Sequence, residues 1–303
     1  MIVTDKSEED NILRPKPLVL LLLDGFGVAP VNEGNAFSLV KTNTISRLIE
    51  DYPVVLLSPL SGSVNQRYLS LGTAFSRELN DDKKEILPSL SSVLADNSLK
   101  QLKISESDRF AALTYFFNGF REDKLPQEEW QIVSSTLKNG KEIGRELVTK
   151  KIFKELSQAL EADELADVII VSLPSIDIRA RSGDIEATKQ EIILVDKLLR
   201  RVVEKVLEKN ACLLISSAFG NAEKMLDLGM EINDNNPTQN PVPLIFVSPD
   251  FKGLRAGKND VLNGDLNSLA VSGSLTDLPA TILEILGLEP GALGGNSLAN
   301  NLL

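Results

Sequence analysis

The sequence predicts an α/β protein built on a mostly parallel sheet with helices on both faces. Three observations carry that prediction. The run Leu18 to Leu23 is aliphatic throughout and stops at Asp24-Gly25. Unbroken apolarity ending in a turn marks a strand buried on both faces. Val168 to Leu173, closed by Pro174, repeats the pattern. In Asp184 to Lys209 the residues Ile192, Val195, Leu199, Val202 and Val206 step by three and four, forming one helical stripe. Strands alternating with helices imply parallel pairing.

The other elements follow in chain order. A polar tail covers residues 1–16, and one α/β domain is expected over 17–303. Thr44 to Glu50 reads as a short helix and Val54 to Leu57 as a strand. Residues 76–108 are polar and weakly patterned, the expected place for an excursion or boundary, with Val93 to Leu102 helical within it. Ala111 to Phe117 reads as a strand, because Tyr115, Phe116 and Phe117 precede the turn signal Asn118-Gly119. Glu142 to Leu160 is a charged amphipathic helix. Asp184 opens the long helix with a negative charge at the positive end of its dipole. Strands at Cys212 to Ser216 and Val242 to Val247 follow, then a last helix from Asp277 to Leu286 that stops at Gly287. Asn233 to Gln239 reads as an exposed loop, whereas Phe26, Trp130 and Tyr115 to Phe117 read as core.

Composition excludes several classes of function. Lysine and arginine number 32 against 43 acidic residues, a net charge of −11, so nothing would neutralise the phosphates of a nucleic acid or an anionic membrane. The single cysteine, Cys212, excludes an intrachain disulfide and sits in an apolar run as a small buried hydrophobe. Met1 to Pro17 carries no signal-peptide core and no apolar run reaches membrane-span length, so a cytoplasmic setting is expected. There are no histidines. Any His-dependent triad or His-bearing metal site is therefore excluded.

In parallel sheets the functional groups gather at the carboxyl ends of strands. Asp24 and Asp177 stand there, and Ala218-Phe219-Gly220 follows the strand ending at Ser216. From position alone the two aspartates either hold a divalent metal or cap turns and helices.

The stretch Leu20 to Gly27, then Glu33-Gly34-Asn35-Ala36, Lys41-Thr42 and Arg47-Leu48 through Tyr52-Pro53, resembles the opening of cofactor-independent (2,3-bisphosphoglycerate-independent) phosphoglycerate mutase. Thr114 to Gly119, Gly183-Asp184 to Val203, Gly220-Asn221-Ala222-Glu223, Asn240-Pro241-Val242-Pro243 and Asp277 to Leu283 match that family in the same order. The resemblance implies an alkaline-phosphatase-like fold. In that family a serine nucleophile and two divalent metals, usually manganese, move a phosphoryl group within phosphoglycerate.

Carried over position by position, the family's site is missing. Asp24 keeps the first aspartate. The family's Gly-Asn-Ser-Glu-Val-Gly-His falls on Gly62 to Tyr68, which puts Val64 at the nucleophile and Tyr68 at a histidine. Its Asp-x-x-x-His pair falls on Asp177 and Arg181. Its Asp-His-Gly-Asn-Ala-Glu begins here as Ala218-Phe219, and its last histidine falls on Pro237. The resemblance further implies that Arg181 pairs with Asp177 in place of a metal, and that Phe219 and Val64 fill space vacated by polar groups. Only residues 73–109 stand where the family inserts its substrate domain, and Arg109 aligns with a basic residue used near the phosphate.

Three readings follow. The first is a catalytically inactive homologue, a pseudoenzyme without a cofactor, acting as a scaffold or binding protein for an unknown protein partner, with no nucleic acid and no membrane. The second is an enzyme with a rearranged, His-free site. There Asp24, Asp177 and Glu223 or Asp234 hold Mn2+ or Mg2+, and Ser63, Ser70 or Thr73 is the nucleophile. The third is a non-catalytic partner subunit of an active mutase.

Overall fold

The computed structural model describes residues 16–75, 85–137, 141, 143–227, 232–233, 236–254, 261, 264–291 and 293–299. Six strands come first in the chain: β1 (Leu18–Leu23), β2 (Val54–Ser58), β3 (Gln101–Glu106), β4 (Glu128–Val133), β5 (Val168–Leu173) and β6 (Cys212–Ser216). A two-stranded ribbon of β7 (Leu226–Asp227) and β8 (Ile232–Asn233) follows, then β9 (Val242–Val247) and β10 (Val271–Ser274). The main sheet has eight strands in the order β10-β2-β9-β6-β1-β5-β3-β4. Strand β9 runs antiparallel to both neighbours, and every other pair is parallel.

Strands β1, β5, β6 and β9 are buried at every position, so both faces of the sheet are covered. Each fully buried leucine of β1 contributes roughly 1.5–3 kcal/mol through removal from water. The covering helices are α1 (Asn43–Asp51), α2 (Val64–Thr73), α3 (Leu90–Asp96), α4 (Arg145–Glu161), α5 (Ser175–Arg181), α6 (Ile185–Glu208) and α7 (Leu278–Ile285). They pack as two sets: α1, α4 and α5 against α6, and α3 and α7 against α2. The stripe expected on α6 is buried throughout, and Asp184 caps the helix by accepting from Ala187 N–H. Cys212 is a buried free thiol, and burial pushes it up to about 12. Among the described residues no helix is long and apolar enough to cross a membrane.

Two expectations fail. The helix read over Val93 to Leu102 is instead α3, ending at Asp96, followed by strand β3. Within the stretch read as an excursion, β3 pairs with β4 and β5 in the sheet. Strand β3 conceals itself because Lys103 and Glu106 are buried on it and neutralised by neighbours, Lys103 by Glu128 of β4 at 2.8 Å and Glu106 by Arg145. The strand read over Ala111 to Phe117 is a π-helical turn, Ala112–Phe116, with Phe117 N–H donating to Ala112 O at 3.0 Å. Tyr115, Phe116 and Phe120 pack edge-to-face or tilted on one another, which a helical turn permits and an alternating strand does not. The turn lies against α2, where a Cβ on Gly72 would come within 2.0 Å of Phe117 O. Phe26 and Phe117 are core as expected, but Trp130 is half-buried at the β4 edge. Within the described part of the expected loop, Thr238 is buried.

Candidate functional site

Three central strands deliver the site. Leu23 stands opposite Leu173 and Leu22 opposite Ser216, so β1, β5 and β6 end together at one edge of the sheet. Gly25 makes the join. Its φ is +96°, and a Cβ there would lie 2.9 Å from the Asp177 backbone nitrogen, so strain and contact both require glycine. The close approach lets Asp177 N–H donate to Asp24 O at 3.0 Å and Gly25 N–H to Phe219 O at 3.0 Å.

Asp24 is fully buried. Tyr68 Oη, reaching in from α2, donates to its Oδ2 at 2.9 Å, and Ala218 N–H points to Oδ1 at 3.4 Å. Tyr68 Oη also lies 2.5 Å from Ser172 Oγ. Its one proton is committed to Asp24, so Ser172 is the donor there. Burial pushes the Asp24 carboxyl up, Arg109 pulls it back and Asp177 pushes again, leaving it at about 6. Burial, then the Asp24 charge, holds the Tyr68 hydroxyl well above its ordinary value.

Arginines occupy the remaining acceptors. Arg109 bridges the two acids, with Nη2 2.7 Å from Asp177 Oδ2 and Nε 3.4 Å from Asp24 Oδ2. Arg181 grips Asp177 from four residues along α5, with Nε 3.0 Å from Oδ1 and Nη2 3.0 Å from Oδ2. Such two-pronged charged pairs are the strong ones. Asn221 Nδ2 completes the set, donating to Asp177 Oδ1 at 2.8 Å. Burial opposes the Arg109 charge, but Asp24 and Asp177 outweigh it and its pKa rises. Arg67, 1% exposed, donates to the backbone oxygens of Gly62 at 3.1 Å and Thr238 at 3.2 Å. Burial lowers its pKa against the pull of Asp24 and Asp177. Its guanidinium lies 5.4 Å from the Phe219 ring centroid and that of Arg181 lies 6.0 Å away, within cation–π range. An open cavity of about 640 Å³, lined by Val64, Arg67, Arg109, Arg181 and Pro237 among others, lies in front of these groups.

Comparison with known proteins places this arrangement. A family model described as Metalloenzyme superfamily matches residues 16–290. The chain belongs to that superfamily. The 2,3-bisphosphoglycerate-independent phosphoglycerate mutase of Gloeobacter violaceus is 32% identical over 214 residues, 69% of this chain. The chain spans 38% of that relative's length. Leishmania mexicana phosphoglycerate mutase, solved at low cobalt concentration, aligns with a TM-score of 0.51 at 22% identity, over 67% of this chain and 38% of that one. Alkaline phosphatase from the Antarctic bacterium TAB5 aligns with a TM-score of 0.61 at 12% identity, over 90% of this chain and 98% of that one. These two likenesses establish the shared alkaline-phosphatase-like fold.

Metalloenzyme superfamily membership implies a metal, and the residues present do not fit one. Among the described residues no three histidine, cysteine, aspartate or glutamate side chains converge as ligands. The two aspartates that do converge already accept from guanidinium groups. Glu223, offered as a substitute ligand, is buried; its Oε1 accepts from Thr238 Oγ1 and from Asn240 Nδ2 at 3.0 Å, its Oε2 has no partner among the described residues, and burial raises its pKa. Asp234 lies outside the described residues. Of the substitute nucleophiles, Ser70 and Thr73 are committed, whereas Ser63 is exposed, lines the cavity and only accepts a bond. Ser63 caps α2 by accepting from Gln66 N–H at 3.3 Å, while Ser70 and Thr73 donate to the carbonyls of Gln66 and Leu69 in their own helix.

The structure brings Asp24, Tyr68, Arg109, Asp177, Arg181, Ala218 and Phe219 together. Phe219 is fully buried, but Val64, the first residue of α2, is half-buried and lines the cavity instead of filling a gap. Pro237 stands half-buried on the same cavity. Sequence reasoning missed Arg67, Ser172 and Asn221. For Arg67 a signal existed: it falls where the resemblance sets a glycine, and so large a cation in a buried helix face calls for a partner.

Proposed function

We propose that this chain is a non-catalytic member of the Metalloenzyme superfamily, a pseudoenzyme that uses the inherited fold as a scaffold or binding surface for a protein partner. One observation carries the reading: Asp24 and Asp177 are neutralised by Arg109 and Arg181 at 2.7–3.4 Å, so the charge a metal would supply is covalently part of the chain. A divalent ion entering here must displace fixed cations and meet their repulsion. The absence of histidine and the commitment of the Ser70 and Thr73 hydroxyls to helix bonds support the same reading. A cytoplasmic setting is part of the proposal.

The test is elemental analysis after incubation with manganese, magnesium and zinc followed by dialysis. The expected content is near zero per chain, with no hydrolysis of a phosphomonoester above the buffer rate. A stoichiometric metal, weakened by Asp24→Ala or Asp177→Ala, would overturn the reading and restore the His-free enzyme.

A further inference from the structure

We infer that the cleft between α4 and α6 is a docking groove for an acidic, amphipathic peptide segment of a partner protein. The placement of charge leads there. Lys197, Arg201 and Lys205 recur every four residues along the second half of α6, and Lys150 and Lys154 repeat the spacing on the facing side of α4. Residues four apart share a helix face, so each row points one way, and both rows line a single cavity of about 1050 Å³ together with Arg200. The same cavity carries two acids, Glu146 and Asp196. Six cations less the four acids in and beside it, Glu146, Asp196, Glu161 and Glu204, give a local +2 on a chain of net −11, leaving −13 for everything else.

That concentration is not used up inside the molecule. Asp196 is turned to α1, whose Thr44 and Ile45 N–H groups donate to it at 2.8–3.1 Å. Glu146 holds Lys150, Glu161 holds Lys205 and Glu204 lies 3.7 Å from Arg200. Among the described residues Lys154, Lys197 and Arg201 have no carboxylate within ion-pair distance. Like charges four apart on a helix work against it, and here the chain carries such rows on two facing helices. The cavity is not wholly polar: buried Phe153 and half-buried Leu194 and Leu198 contribute to its lining.

A groove with an apolar lining between basic rows matches a segment carrying apolar residues on one side and carboxylates on its flanks. A flat bilayer cannot reach into a cleft between two helices. A long polyphosphate would run beyond the groove onto the rest of the chain, whose charge sums to −13. The groove lies on helices and the metal-like site at strand ends, so the inference holds whatever the metal content proves to be.

Fluorescence anisotropy of the full chain tests it, using a labelled peptide of about 15 residues with glutamates and leucines at helical spacing. Comparison probes are the same peptide with glutamine for glutamate, a single-stranded oligonucleotide and phosphatidylserine vesicles. The glutamate peptide should bind and the glutamine peptide should not. Affinity should fall by about tenfold or more in the variant Lys154→Glu/Lys197→Glu/Arg201→Glu, and also on raising salt. Retention of the thermal transition shows that the variant is folded; if it is not, Lys197→Gln alone should weaken binding by a smaller factor. No binding of the glutamate peptide, unchanged binding by the reversed variants, or tighter binding of oligonucleotide or vesicles overturns the inference.

Discussion

Individual side chains at the strand ends form a charge balance in which Asp24 and Asp177 each have a cation, Tyr68 and Arg109 share Asp24 Oδ2, and the Ala218 N–H points to Oδ1. Asp24 is the sensitive member, because burial leaves its carboxyl at about 6 against an ordinary 3.8. Between those values the folded chain binds a proton that the unfolded chain has released. Its contribution to stability is therefore complete below about pH 4 and lost as pH rises through about 6, amounting to roughly 3 kcal/mol for a group this buried. The stability of the wild type relative to Asp24→Asn should accordingly fall from about pH 4 to about pH 7, read from urea unfolding at each pH. A difference that stays flat would show that Asp24 is not held up by its surroundings. Asp24 and Asp177 are legible in sequence because position and resemblance both single them out, and Arg181 through the resemblance alone. Arg67 is not, since its role depends on a ring, Phe219, 152 positions further along the chain.

Elements buried on both faces announce themselves: β1, β5, β6 and β9 are continuous apolar runs and α6 a continuous stripe. Elements stabilised by lateral ion pairs do not. Lys103 is fully buried beside Glu128, which also accepts from Asn118 and the Leu125 N–H, and burial lowers its pKa to about 8 despite Glu128. Charge in the middle of β3 erased the strand signal. Helix α2 is equally hidden, since its buried residues include Arg67, Tyr68, Ser70 and Thr73. Removing one partner of a buried pair leaves the other charge unpaired, so Lys103→Met should cost about 3–5 kcal/mol in urea unfolding. Lys103→Met combined with Glu128→Gln should recover more than half of that loss, because glutamine keeps an acceptor for Asn118 and Leu125 without the charge. A double variant no more stable than the single one would show that β3 and β4 depend on the ionic pair itself.

Across the whole molecule, one core cluster runs from the β10 end of the sheet to β4, and between α2 and the π-helical turn the described chain joins that sheet. The chain should accordingly unfold in a single calorimetric transition, with van't Hoff and calorimetric enthalpies in agreement. Two resolved transitions would instead divide the chain into independent units. Charge is distributed less evenly than apolar surface. A chain of net −11 gathers six cations in one cleft, and no local sequence window displays this, because the rows on α4 and α6 are some 50 residues apart.

The bridging of Asp24 and Asp177 by Arg109, with Arg181 on the second acid, bears on how this lineage can change. Arg181→His removes a fixed cation from Asp177 before any metal is there to replace it, and Phe219→His takes away the ring that lies within cation–π range of Arg67 and Arg181. Each single step back toward metal binding passes through a less stable intermediate, and the benefit arrives only when several ligands are present together. The guanidinium network thus acts as an evolutionary ratchet. On the proposed reading, single substitutions reach new surfaces more readily than they reach a metal site.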